Sequence, residues 1–282
     1  MKIIHQLIGL LIVCYLFIAC ESEGDETMPI SSCNDQIQNG LEEGIDCGGD
    51  CTPCSPTVEV PDGGFESPES RTGYSLIWSD EFSNSGVDTE KWSYHLGDGC
   101  PNLCNWGNNE LQYYTQNEEN IFTQDGYLVI RAINERLNGY NYTSARIHSD
   151  DKFEFKYGRV DIRAAMPEAT GTWVALWLIN KSYSIYNPDK FWPSGGEIDI
   201  AEYVGEAKDE ILGTAHFGTD FPVNHRYISK KYITKQHPFH LAFYVFSIEW
   251  EKDKITWLVN DQVYHEVNTS STNAFNQPYP FN

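Results

Sequence analysis

The sequence predicts an all-β domain of two packed antiparallel sheets. Three observations predict it: short runs alternate apolar and polar residues, tight turns separate the runs, and no long amphipathic helical pattern occurs. In KYGRVDIRAAM, Val160, Ile162 and Ala164 fall on one side and Arg159, Asp161 and Arg163 on the other, as expected of a strand with one buried face. FSIEW places Phe246, Ile248 and Trp250 together, and ITWLVN does the same with Ile255, Trp257 and Val259. The charged EKDK joins these two strands, and Asn260-Asp261 turns the chain into QVYHEV. Such strands recur across the C-terminal part of the chain, which suits sheet-on-sheet packing.

The N-terminal part reads differently. The length of 282 residues suits one large domain plus something small. Residues 1–19 are predicted as a lipoprotein signal peptide. Lys2 gives a weak basic start, and Leu7–Ala19 forms an apolar core too short to span a membrane comfortably. The ending FIAC resembles a bacterial lipoprotein signal, which makes Cys20 the lipidation site. The expected location is then the outer membrane or cell surface, with the lipid as the membrane contact; ordinary secretion is the alternative. Residues 20–32 form an acidic tether. Residues 33–54 hold Cys33, Cys47, Cys51 and Cys54 among Gly and Asp with almost no apolar side chains, so cross-links must hold them. An exported context and an even cysteine count favour two disulfides over a zinc site, with connectivity open. Cys100 and Cys104, three residues between them, suit a local disulfide in an exported protein, with two free thiols as the alternative. Residues 55–73 read as a Pro-, Gly- and Ser-rich linker, and the main domain is placed at 74–282. A formal net charge of −22 excludes a nucleic-acid partner, because phosphate binding needs clustered Lys and Arg.

The chemistry concentrates in WPSGGEIDIAE, residues 192–202. Residues two apart on a strand share a face, so Glu197 and Asp199 point together while Glu202, five from Glu197, would point away. One extra residue, a β-bulge at Ile200-Ala201, returns Glu202 to the shared face. Two carboxyl groups about 5–5.5 Å apart suffice for a retaining glycosidase, one as nucleophile and one as acid/base. At that separation two negative charges repel by roughly 3 kcal/mol at an effective dielectric near 20. One of the two Glu side chains is therefore expected to hold its proton near neutrality while the other is ionised, with Asp199 orienting Glu197. Carboxylates on a solvated face, or a calcium site, are the plainer readings. Trp173 and Trp177 on one strand face, with Trp192 nearby, favour a sugar cleft over these, although any one Trp can be core packing.

Much of the chain resembles glycoside hydrolase family 16, in its laminarinase-like branch. LIWSDEFSNSGVDTEKW, CNWGNNELQYYT, YGRVDIRAAMPEATGTWVALWLI, GTAHFG and FSIEWEKDKITWLVND carry the resemblance together with WPSGGEIDIAE. It implies a jelly-roll β-sandwich, concanavalin-like, with a cleft on its concave sheet and retaining endo-hydrolysis of β-1,3-glucan. It further implies Glu197 as nucleophile, Glu202 as acid/base and Asp199 between them. Trp173, Trp177 and Trp192 become sugar-stacking residues, His216 a cleft histidine near the acid/base, and Asn108 and Arg146 polar residues lining the donor side. No cofactor is required. A structural calcium is implied at Glu81 and the Gly126 backbone, with a further ligand in a strand beyond the last residue. The chain stops at NAFNQPYPFN, where family members continue through more strands, so a C-terminally truncated, poorly folding chain is expected. A non-catalytic surface glycan-binding protein is the rival from another class. Mixed-linkage glucan, agarose and carrageenan are the alternative substrates.

Overall fold

The alternating runs become the strands of two sheets. The structure is a computed structural model, and it describes residues 32–51, 54, 56–181 and 192–282. The predicted signal peptide and Cys20 lie outside the described residues. The chain divides after Cys54 into two compact units.

In the first unit the bridges are Cys33–Cys51 and Cys47–Cys54. Carboxylates stand in for an apolar core: Glu42, 8% exposed, accepts the backbone N–H groups of Asn39 and Asp46. Asp46 in turn accepts those of Asp35 and Gln36.

The second unit opens with six short strands, β1 (Ser93–His95), β2 (Gln112–Tyr114), β3 (Ile121–Gln124), β4 (Tyr127–Ile130), β5 (Tyr142–Ser144) and β6 (Arg146–His148). They form three two-stranded pairs. Eight longer strands follow: β7 (Gly158–Ala164), β8 (Trp173–Ile179), β9 (Glu197–Val204), β10 (Glu210–Gly218), β11 (His225–Ile233), β12 (Tyr244–Glu251), β13 (Lys254–Val259) and β14 (Gln262–Asn268). They make two four-stranded sheets, ordered β11-β10-β9-β8 and β14-β13-β12-β7, with antiparallel neighbours throughout.

The core fills the space between these two sheets. Ile198, Ile200, Tyr203, Ile211, Ala215 and Phe217 from one meet Phe246, Ile248, Ile255, Trp257 and Val259 from the other. The predicted strand faces are the ones buried: Ile255, Trp257 and Val259 are all 0% exposed. Asn260 and Asp261 both take positive φ (50° and 61°), as a two-residue hairpin turn requires.

Residues 56–73 differ from the expected free linker. Val58 exchanges two hydrogen bonds with the Gln124 side chain, each 2.9 Å. Gly64 bridges Phe243 at φ +108°, where a Cβ would lie 2.4 Å from the Phe243 carbonyl oxygen, so only glycine fits. Arg71 pairs with Asp161 at 2.7 Å and Asp261 at 2.8 Å, and Glu66 pairs with Arg163 at 2.8 Å. The physical reason is the polar face of β7. The alternation leaves Asp161 and Arg163 outside the core, and this segment supplies partners of opposite charge.

Candidate active site

The acids lie on β9, an inner strand. Along β8, Ala175 faces Glu202 and Leu176 faces Ala201, but the next pair is Trp177 with Asp199, so Ile200 has no partner. The ladder with β10 jumps likewise, from Leu212–Glu202 to Thr214–Asp199. This is the bulge expected at Ile200-Ala201. Its effect shows in burial: Ile200 (1%) and Ala201 (0%) both belong to the core. Two successive inward residues reset the alternation and bring Glu202 to the side of Glu197 and Asp199.

The core holds the bulge. Trp257, on the opposite sheet, donates from Nε1 to the Asp199 carbonyl at 2.7 Å. Gly213, beside the register jump on β10, makes room: a Cβ there would sit 2.3 Å from Tyr264 Oη and 2.6 Å from Trp257 Cδ1. The sequence reading missed both residues in this role. A glycine inside the strand pattern of EILGTAHFG was the available signal, since it marks a bulge or close approach.

Each outer acid meets an indole. Trp192 Nε1 donates to Glu197 Oε2 at 2.9 Å, and Trp173 Nε1 donates to Glu202 Oε1 at 3.2 Å. Trp173 is 53% exposed and so presents a ring face to solvent. Arg146, on β6, lies over the rings of Trp106 (4.7 Å) and Trp177 (5.1 Å). Asn108 follows the loop closed by the Cys100–Cys104 disulfide, and its amide donates to Glu110 at 3.4 Å. His216 stands opposite Glu197 in register, with Nε2 3.1 Å from Asp199 Oδ2. The charges of both Glu197 and Glu202 act on it.

Burial dominates the electrostatics. Desolvation, then the Asp199 charge, push the Glu197 carboxyl up to about 8. Desolvation, then the Glu202 charge, push Asp199 up to about 8. A proton is thus favoured within the Glu197–Asp199 pair. Asp199 is the better holder: it is 3% exposed, whereas the Trp192 N–H favours the Glu197 anion.

Donor atoms of Glu197, Asp199 and His216 lie within 4.8 Å of one another. An indole N–H aimed at Glu197, and an imidazole hydrogen-bonded through its other nitrogen, suit a shared proton and not a cation. Glu81 and Gly126 are both exposed, and among the described residues Glu81 joins no convergent group of acid, His or Cys ligands. No chemistry is routed through a calcium ion.

Comparison with known proteins agrees with this geometry. The profile of Glycosyl hydrolases family 16 matches residues 104–282. Glucan endo-1,3-beta-glucosidase A1 of Niallia circulans is 36% identical over 244 residues, covering 80% of this chain and 35% of that protein. The chain thus spans about a third of that relative. The beta-glucanase of Rhodothermus marinus is 38% identical over 207 residues, covering 72% of this chain and 68% of the other. The catalytic domain of an endo-1,3-beta-glucanase (laminarinase) from Thermotoga petrophila superposes with a TM-score of 0.66 at 36% identity, covering 74% of this chain and 82% of that one. With a profile match over more than half its length, a jelly-roll fold and three clustered acids on a bulged inner strand, this chain belongs to glycosyl hydrolase family 16.

Proposed function

We propose that the chain is a retaining endo-β-1,3-glucanase acting by double displacement. The carrying observation is the bulge that turns Glu197 and Glu202 to one side of β9, each with an indole donor. In this reading Glu197 Oε attacks the anomeric carbon while Glu202 gives its proton to the departing glycosidic oxygen, leaving a glycosyl ester. Glu202, now ionised, takes a proton from water, whose oxygen attacks the same carbon and frees Glu197. Asp199 holds Glu197 in line. Trp173, Trp177 and Trp192 offer ring faces to sugars, with Arg146 and Asn108 on the donor side. The activities of the Niallia and Thermotoga relatives support β-1,3-glucan as substrate.

The test is release of reducing ends from laminarin by the wild type and by Glu197→Gln. Wild-type release with loss in the variant supports the proposal. Binding without release in the wild type selects a glycan-binding protein instead. The N-terminal reading extends the proposal to a lipid on Cys20 that holds the enzyme at the cell surface. Detergent-phase partitioning that Cys20→Ser abolishes supports the anchor, and equal partitioning of the two removes it.

A further inference from the structure

The proposed mechanism leaves one histidine unused. His225 opens β11, and its register partner is Gly218, two residues from His216, so both imidazoles lie on the same face. Nδ1 of His216 and Nε2 of His225 are 2.8 Å apart, with their rings nearly parallel at 16°. His216 Nε2 points the other way, 3.1 Å from Asp199 Oδ2. That oxygen is buried and has no hydrogen-bond donor in line with it. Asp199, His216 and His225 thus form a row running from the acid cluster to the cleft rim.

We propose that His225 is a positioning residue that fixes the tautomer of His216 and, through it, the orientation and charge of Asp199 beside Glu197. The direction follows from counting protons. Burial lowers the proton affinity of both histidines, so each is neutral at pH 7 and only one proton lies between their facing nitrogens. Asp199 uses one oxygen toward Glu197, which leaves Oδ2 as an acceptor. His216 must then carry its proton on Nε2 to meet that oxygen. Its Nδ1 becomes an acceptor, and His225 must supply the N–H from Nε2. The opposite arrangement would turn an Nε2 lone pair toward Asp199 and remove the donor that a buried carboxyl needs.

The surroundings leave His225 as the donor. Glu197, Asp199 and Glu202 face His216 from β9, and all are acceptors when ionised. Tyr227, the register partner of His216 on β11, contributes a ring 5.7 Å away. Trp192 contacts both imidazole rings but spends its N–H on Glu197. Arg226 turns aside to lie over Phe275 at 5.1 Å. The inference deepens the glycosidase reading and rests on it for its kinetic consequence, but the tautomer can be read without turnover.

The experiment combines imidazole ¹⁵N NMR of the full chain with pH profiles of kcat/KM on laminarin. Expected in the wild type is His216 protonated at Nε2, with Nδ1 bare and accepting. His225→Phe should mix the tautomers, lower kcat about tenfold with KM nearly unchanged, and move the acidic limb up by roughly one pH unit, because the single negative charge of the Glu197–Asp199 pair loses a donor that stabilises it. His225→Gln, whose amide can donate from a similar position, should restore all three readouts. An Nδ1-protonated His216 in the wild type overturns the proposal, as does a His225→Phe enzyme with the wild-type tautomer and pH profile. If the wild type has no activity on laminarin, the glycosidase reading fails by itself, and the NMR arm still decides the tautomer.

Discussion

Replacing Trp257 by Phe tests whether the core aims the acids. Trp257 is 0% exposed and touches no substrate-facing surface, yet its Nε1 donates to the Asp199 carbonyl at 2.7 Å. Phe keeps an aromatic ring but loses the donor, leaving a buried carbonyl unpaired at a cost of about 1–3 kcal/mol. The smaller ring opens a void of roughly 40 Å³, worth about 1 kcal/mol at ~24 cal/mol per Å³. The sum, about 2–4 kcal/mol, is less than the ~5–15 kcal/mol of a typical domain, so the variant should fold. The bulge loses its anchor from the far sheet, and Glu202 drifts relative to Glu197. A misplacement near 1 Å costs on the order of a hundredfold in rate. Urea unfolding should show a lower midpoint with unchanged slope, while kcat on laminarin falls steeply and KM stays within about threefold. A variant destabilised as calculated but with wild-type kcat would show that the core does not aim the acids.

Gly213→Ala should act in the same direction, since its Cβ would approach Tyr264 Oη at 2.3 Å; thermal unfolding and kcat should both fall, by about 1–3 kcal/mol in stability. Glu197→Gln should also change stability with pH. Burial and mutual repulsion keep one proton on the Glu197–Asp199 pair up to about 8, well above the ordinary carboxylate range, so the wild type loses stability as pH rises through that window. The Gln variant escapes that loss and should melt higher than wild type at pH 9 but not at pH 4. Arg146→Ala removes the cation over Trp106 and Trp177 and should raise KM several-fold with little change in kcat, measured on laminarin oligosaccharides.

The parts of the fold written in local chemistry were legible. Alternation at Val160–Ala164 and Ile255–Val259 named the buried faces, and a five-residue spacing named the bulge. The acids and their indoles lie close in sequence or on adjacent strands, so strand geometry alone relates them. What stayed hidden depends on contacts far apart in the chain. Trp257 looked like ordinary core because nothing in ITWLVN says that its N–H reaches a carbonyl 58 residues away. His225 lies in a rim segment without motif, and only the β10–β11 register brings it to His216. Residues 56–73 have the composition of a linker, and their docking depends on Asp161 and Arg163, whose outward charges gave no hint of a partner. His216 comes to stand opposite Glu197 through strand pairing, which sequence distance does not reveal.

Stereochemistry tests the central claim most directly, because the roles proposed for Glu197 and Glu202 require two displacements at the same carbon. Proton NMR of a laminarin oligosaccharide digest, recorded before mutarotation, should show the new reducing end first as the β-anomer. Initial appearance of the α-anomer would mean a single displacement, and would contradict the roles given to Glu197 and Glu202.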